Sequence, residues 1–440
     1  MALPSNFLLQ FTEDTLVMIP RRLAQWLSDN VSVTMVFAHT SQRFAWQVTE
    51  GETLFLPSRF AQRTLLPVAH RIGAWVWQNH VFLGPSLSIL TVLQEGHPLR
   101  EQQETLVALC QAAERLGAIC SLLDPASLAE VRPPFERAVA LVEDRWTTRA
   151  CGWPDLIYTQ MPSRALQDST EFVRCIDAFA SQGIPIYGLS FAGKREVFDA
   201  LAGDPLIASH LLPYASYMDI EQLMDALRRW GALYAKPDHG SLGRGILWVG
   251  VVNAQPMVID GRGQRLASGE AACRAFLSAA LSREAYIFQK DARCIQMAGC
   301  LVDFRLLMQR DAEGRWRQTK WFARQATRPG VRVTNLARGA QVRSAREILV
   351  ACFGKQARYI HAQVDRLGKA VASRLGKQPE FAELGIDIAI DRDGKPWLIE
   401  VNYRPSKRAP RDQDDRIGWL PYERLAGYLL SEAVRISQRN

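Results

Sequence analysis

Residues 383–405 read ELGIDIAIDRDGKPWLIEVNYRP, and no other stretch constrains the chain as tightly. Residues 384–390 alternate, the turn formers Asp391, Arg392, Asp393 and Gly394 follow, and a second run covers 397–402. This pattern predicts a β-hairpin. If those four residues form the loop, Asp387 lies opposite Leu398. Period-two alternation then sends Asp387, Glu400 and Asn402 to one face. Two carboxylates and an amide oxygen suit a hard cation such as Mg²⁺, which keeps places for phosphate oxygens. A slip of one residue would separate Asp387 from the other two. The plain alternative is a surface hairpin whose acids are merely solvated.

A second feature lies upstream, at residues 232–249: ALYAKPDHGSLGRGILWV. A short strand ending at Lys236 leads into a loop rich in glycine (Gly240, Gly243, Gly245), and another strand begins at Ile246. Glycines let backbone N–H groups wrap phosphate oxygens, and the lysine adds a point charge. The loop is not a Walker A motif, because it lacks the Gly-Lys-Ser/Thr ending and runs into a strand. A plain glycine-rich hairpin would explain it taken alone. Together with the acidic oxygen cluster downstream, it describes a nucleoside triphosphate and its metal.

At these residues the sequence resembles the ATP-grasp superfamily. More narrowly, it resembles the YheC/YheD family of endospore coat-associated ATP-grasp proteins. The narrower resemblance rests on VFLGPSLSILT (81–91), PDLIYTQMPSR (154–164), IYGLSFAGKREVFDAL (186–201), YIFQK (286–290), VDFRLLMQRDAEGRW (302–316) and VTNLARGA (333–340). It spans residues 80–435, most of the chain. It implies an α/β (α+β) fold, with an ATP-grasp unit of two α+β subdomains after a Rossmann-like domain and a small β-rich N-terminal domain. The expected division is 1–78 for the β-rich accessory domain, 79–190 for the α/β domain and 191–440 for the ATP-grasp domain. Within the last, the glycine-loop subdomain is expected at 205–290 and the metal-site subdomain at 291–440.

The resemblance also implies residue roles. Lys194, opening a helix, and Lys236 match the two nucleotide lysines. Gln289 matches the adenine-edge position. Asp303 and Arg305 form the Asp-x-Arg pattern, with Arg305 aimed at transferring phosphate oxygens, where a fixed guanidinium is useful. Arg324 joins Arg305 and Lys236 as a candidate catalytic residue, and Asn335 as a nucleotide contact. His239 and Ser241, inside the glycine loop, complete the nucleotide set; a simple turn histidine is the alternative for His239. Arg338 and Gly339 match part of an Asn-Leu-x-x-Gly-Gly pattern, with Ala340 where a second glycine is usual. Asp387, Glu400 and Asn402 match the metal set, for Mg²⁺ or Mn²⁺.

The implied chemistry is an ATP-dependent, ADP-forming ligation that activates a carboxylate as an acylphosphate and joins it to an amine. The alternatives are a kinase or ATPase on the same site, or an ATP-binding structural protein of the spore coat. Phosphoryl transfer needs positioning and charge neutralisation more than covalent help, and Mg²⁺, lysine and arginine supply both. The expected partners are ATP, a carboxylate and an amine acceptor, with an anionic peptide and spore coat proteins as candidates.

The chain has 440 residues, 48% hydrophobic, enough for more than one core. No apolar run is long enough to span a membrane, and the opening MALPSNFLLQFTEDTL has no basic n-region, so a cytoplasmic or spore coat-associated protein without membrane contact is expected. The eight cysteines show no metal-like spacing and are expected to be reduced, with Cys294 and Cys300 in the core. The net charge of +8 raises nucleic-acid binding. The basic residues are dispersed, however, with no basic helix face interleaved with aromatics, and a nucleic-acid partner is not expected. The densest basic segment, SKRAPR (406–411), is a candidate for holding an anionic acceptor; a solvated loop is the alternative.

Strand and helix patterns fill in the rest. LVMIP, SVTMVFA, FAWQVT and TLFLP read as strands of a small accessory barrel, with RRLAQWL a short helix. Residues 80 to about 190 alternate strands and helices, which predicts a parallel sheet with covering helices. One long helix is expected over 345–375, and an amphipathic helix over 421–437.

Overall fold

A computed structural model describes residues 5–28, 31–67, 71–128, 130–189, 193–240, 243–336, 339–377, 381–407 and 415–438. The expectations placed on Ser241, Arg338 and residues 408–411 lie outside the described residues.

The N-terminal strands close into a seven-stranded barrel. Ser5–Thr12, Ser32–Phe37 and Thr53–Pro57 alternate buried and half-buried residues, so one face of each fills the barrel with Phe7, Leu9, Met35, Leu54 and Leu56. The last barrel strand, His80–Leu83, lies beyond residue 78 and pairs parallel with Ser32–Phe37.

A six-stranded sheet follows. Ile119–Leu123, Ser86–Leu90, Leu156–Thr159 and Ile186–Tyr187 run parallel, as the alternation predicts. An antiparallel hairpin, Val139–Val142 with Arg145–Thr148, extends one edge and was not foreseen. The covering layer holds a surprise as well. The helix Asp415–Ser437 at the end of the chain returns to this sheet, packing Leu425 and Leu429 with Leu87, Ile89, Leu106 and Leu109. The parallel-sheet core is therefore completed by a segment far away in sequence.

Two antiparallel sheets make the ATP-grasp unit. In the first, Ala232–Pro237 lies between Tyr286–Lys290 and Leu247–Val252, with helices Ile220–Trp230 and Glu270–Leu281 burying Leu223, Leu227, Cys273 and Leu277 against it. In the second, the strand order is Gln341–Ser344, Trp316–Gln325, Cys300–Arg310, Glu383–Ile390, Pro396–Asn402. Period two divides its central strands cleanly. Phe304, Leu306, Ile386 and Ile388 pack under the helix Ala357–Leu375, which leaves Asp303, Arg305 and Asp387 for the opposite face. The single helix expected over 345–375 is two, Ala345–Phe353 and Ala357–Leu375, interrupted by a 3-10 turn at Gly354–Gln356.

A buried polar cluster joins the domains. Lys407 Nζ lies 2.5 Å from Glu383 Oε1, Tyr158 Oη donates to the same oxygen at 2.9 Å, and Gln309 Nε2 donates to Glu383 Oε2 at 2.9 Å. Gln309 Nε2 also reaches the Pro421 carbonyl, and Lys320 Nζ donates to the Lys407 carbonyl. The parallel sheet, the second ATP-grasp sheet and the C-terminal helix thus share one ion pair. This corrects the reading of residues 406–411 as an acceptor-binding segment where Lys407 is concerned, because its ammonium points inward, 1% exposed. The eight cysteines are free thiols, with Cys294 and Cys300 buried. No helix among the described residues is long and apolar enough to cross a membrane.

Removing one member of a buried pair leaves an uncompensated charge, at about 3–5 kcal/mol. Lys407→Met should therefore lower the thermal midpoint, and the double variant Lys407→Met/Glu383→Leu should recover much of the loss. Thermal melts of the two variants beside the wild type check this. An unchanged midpoint in Lys407→Met would contradict it.

Candidate functional site

The predicted hairpin forms as Glu383–Ile390 and Pro396–Asn402, but its register is not the expected one. Ile390 pairs with Pro396, so the turn holds five residues, Asp391 to Lys395, rather than four. Continued evenly, that register would set Asp387 opposite Ile399 and turn Glu400 to the other face. A bulge prevents this. The register shifts between Asp387 and Ile388, Ile399 is left without an opposite number, and Asp387 faces Glu400 instead of Leu398. Leu398 joins the apolar core beside Ile388.

Neighbouring strands then add charge by direct cross-strand pairing. Arg305 stands opposite Asp387, and Arg324 opposite Asp303. Arg305 donates to both carboxylate oxygens of Asp387, with Nη2 at 3.0 Å from Oδ2. Arg324 Nη2 lies 3.2 Å from Asp387 Oδ2 and 2.5 Å from Asp303 Oδ2, while its Nε bonds Asp303 Oδ1 at 2.8 Å. The result is one chain, Arg305–Asp387–Arg324–Asp303. Burial alone would push the Asp387 carboxyl up, but the two guanidiniums overcome it and hold Asp387 below the usual carboxylate range. Burial pushes Asp303 up, and Arg324 offsets this only in part.

Both lysines reach this face. Lys236, 4% exposed, donates from Nζ to Gln289 Oε1 at 2.8 Å and lies 3.5 Å from the Ile399 carbonyl oxygen. Gln289 Nε2 donates to the Leu398 carbonyl at 3.3 Å. The bulged residues therefore present the carbonyls that tie the first sheet to the second. Burial, partly offset by the Glu400 charge, pulls the Lys236 ammonium down to about 8. Lys194 opens the helix Lys194–Ala202, and its Nζ is 3.5 Å from Glu400 Oε1. It also donates to the carbonyls of Pro237 (2.9 Å), Asp238 (3.3 Å) and Gly240 (2.7 Å).

The glycine loop folds back tightly. Gly243 and Gly245 have φ of +67° and +70°, and a Cβ at Gly243 would lie 2.8 Å from Val333 Cγ1. Val333 and Asn335 belong to a segment that crosses from the second sheet; Arg332 in it lies over the Trp248 ring at 3.9 Å. This segment brings Asn335 beside Gly243. His239 is largely exposed, with Nε2 at 3.8 Å from Asp238 Oδ2.

The site therefore brings together Lys194, Lys236, Gly240, Gln289, Arg305, Asp387 and Glu400, with Asn402 on the same strand. Arg324 has a side chain 9% exposed and paired with two aspartates, so it positions Asp387. Gln289 lies on an interior strand of the first sheet. One functional residue was missed. Asp238 accepts Arg195 N–H at 2.9 Å and its carbonyl accepts Lys194 N–H, so it fastens the lysine helix to the glycine loop. Its position two residues after Lys236 was the available signal.

A model of the YheC/D-like ATP-grasp domain matches residues 183–430. The chain belongs to the YheC/D-like ATP-grasp family. The family implies an ATP site, and the two sheets described above are the two α+β subdomains of the ATP-grasp fold. Among relatives, the endospore coat-associated protein YheD of Bacillus subtilis (strain 168) is 23% identical over 374 residues, covering 81% of this chain and 80% of its own. The endospore coat-associated protein YheC of the same organism is 23% identical over 222 residues, covering 48% of this chain and 60% of its own. Among solved structures, the D-cycloserine synthetase DcsG superposes with a TM-score of 0.49 at 13% identity, over 79% of this chain and 99% of its own.

The donors on the hairpin fit a hard cation. Glu400 is partly open to the cleft, and Asn402 on the same strand carries an amide oxygen that a cation could take, while its unpartnered Nδ2 is a donor and no cation ligand. Asp387 is held ionised, though its oxygens are engaged by arginines. Among the described residues, no three His, Cys, Asp or Glu side chains gather as a metal set; here the third donor is an amide.

A phosphate oxygen beside Lys236 would raise its pKa above about 8, so ligand binding should take up a proton. The sign follows: affinity for Mg-ATP is full below about 8 and declines as pH rises past it. Calorimetry in two buffers of different ionisation enthalpy measures the uptake. Lys236→Ala should abolish the uptake and weaken binding; a pH-flat affinity with no proton uptake would contradict the placement.

Proposed function

We propose that this protein is a Mg²⁺- and ATP-dependent ligase that activates a carboxylate and joins it to an amine. One observation carries the reading: Lys194, on a helix packed into the core of the second sheet, lies 3.5 Å from Glu400 and also donates to the glycine-loop carbonyls of Pro237 and Gly240. Cations for a triphosphate and oxygen donors for a metal therefore converge at one point, as phosphoryl transfer requires.

Glu400, Asn402 and Asp387 would hold Mg²⁺, which when bound supplies charge neutralisation for the phosphates. Lys194 and Lys236 bind phosphate oxygens after releasing the protein oxygens they now hold. The glycine loop covers them and excludes water. Arg305 uses Nε and Nη2 on Asp387, which leaves Nη1 to face the transferring group. An oxygen of the donor carboxylate attacks the γ-phosphorus, and the bond to the β–γ bridging oxygen breaks, giving the acylphosphate and ADP. The amine nitrogen then attacks the acyl carbon. Phosphate leaves with the electron pair of the C–O bond, and the amine gives its proton to solvent.

A second reading rests on the names of the relatives, which are endospore coat-associated proteins. In that reading the protein is a coat component, with spore coat proteins as partners, and its ATP site serves assembly. The two readings separate by product. Mg-ATP with a panel of amino acids and short peptides should release ADP only with a matching carboxylate and amine, with a condensed product by mass spectrometry. Glu400→Gln should abolish turnover and leave the melting curve unchanged. Slow ADP release indifferent to added carboxylate would contradict the ligase.

A further inference from the structure

At the junction of the parallel sheet and the second ATP-grasp sheet lies Arg404, which bonds the Met161 carbonyl and pairs with no carboxylate among the described residues. Arg404 follows Asn402 by two residues. Glu400, Asn402 and Arg404 are partly exposed, whereas Val401, Tyr403 and Pro405 are buried, so Arg404 continues the row that opens on the active site. Its Nη1 donates to the carbonyl of Met161, in the loop after the parallel strand Leu156–Thr159. That single contact fixes the guanidinium across the domain junction.

Three observations say what the group is for. First, no carboxylate among the described residues pairs with Arg404; its charged neighbour is Arg164, which repels it. Arg164 is itself held by Asp168, with Nε at 3.1 and 3.2 Å from the two oxygens. Second, polar atoms that lack partners are buried in the Met161 loop and the short helix after it: Gln160 Oε1 and both amide atoms of Gln167, a side chain that is 6% exposed. Third, the residue that follows Arg404 borders the reacting centre. Gly385 has no side chain, and a Cβ there would lie 2.6 Å from Pro405 Cβ and 3.0 Å from Arg305 Nη1. Pro405 and Arg305 thus both border Gly385.

We propose that Arg404 is the receptor for a carboxylate on the amine acceptor, which it holds against the Met161 loop in the cleft beside Arg305. The acceptor is then an amino acid or a peptide with a free carboxylate, not a simple amine or a neutral polymer. This rests on the ligase reading of the same site. A planar guanidinium with one N–H fixed on a backbone carbonyl keeps further N–H groups for a carboxylate, which lysine could not present in the same fork.

The test uses the full-length protein and an arginine-specific dicarbonyl reagent, with the rate of Arg404 modification read by peptide mass. Alanine, dialanine and aspartic α-amide are the probes, against alaninamide and dialanine amide, each with and without a non-hydrolysable ATP analogue and Mg²⁺. Free carboxylates should slow modification of Arg404 and the neutral amides should not. Protection by dialanine assigns a terminal carboxylate, and protection by aspartic α-amide a side-chain one. Equal rates with carboxylates and amides would overturn the proposal. With a substrate pair in hand, Arg404→Ala should raise the acceptor KM about 10- to 100-fold, the loss of a charged hydrogen bond, with the ATP KM unchanged. Arg404→Lys should recover part of it, and melts of both variants report on folding. A shift in the ATP KM instead would also overturn the proposal. Failure of the ligase reading is seen separately, as wild-type protein whose ADP release is indifferent to added carboxylate and amine.

Discussion

The bulge at Ile399 is the constraint on which the rest of the site depends. A five-residue turn by itself would place Asp387 and Glu400 on opposite faces of their hairpin. One unpaired residue reverses that, so the same strand can send Leu398 into the core and Glu400 and Asn402 into the cleft. It also frees the carbonyls of Leu398 and Ile399 from even pairing, and Gln289 and Lys236 of the other sheet reach those carbonyls. The irregularity thus both aims Glu400 and Asn402 and joins the two subdomains.

Around it, charge is stored in a dry place. Isolated buried charges are costly, and the site answers with alternation: Arg305, Asp387, Arg324 and Asp303 each touch a partner of opposite sign. Lys236 stands outside that chain and carries the largest consequence, an ammonium pulled down to about 8 by burial. Lys194 and Lys236 rest on protein oxygens that a triphosphate could replace. A site arranged in this way holds its cations in position before a ligand arrives, which is where electrostatic catalysis gains most.

Much of this was legible in the sequence, and the failures have physical causes. The hairpin, the glycine loop between two strands and the helix opened by Lys194 follow from local pattern, because alternation and glycine content report directly on backbone geometry. The turn length and the bulge were not legible, since both spacings give the same alternation over a few residues. Lys407 was misjudged because a dense basic segment reads as solvated, and only tertiary contact reveals that Glu383 has buried it; the pairing of Arg324 with Asp303 and Asp387 was likewise beyond local pattern. The Asp415–Ser437 helix showed its amphipathic face but not that its partner was the parallel sheet far earlier in the chain.

The most direct test is a crystal structure with Mn²⁺ and a non-hydrolysable ATP analogue, with the manganese located by its anomalous signal. The account predicts one or two peaks bounded by Glu400, Asn402 and Asp387, with the triphosphate lying along Lys194 and Lys236 beneath the glycine loop. Manganese bound away from the bulged strand, or a nucleotide that leaves Lys236 on Gln289, would contradict it.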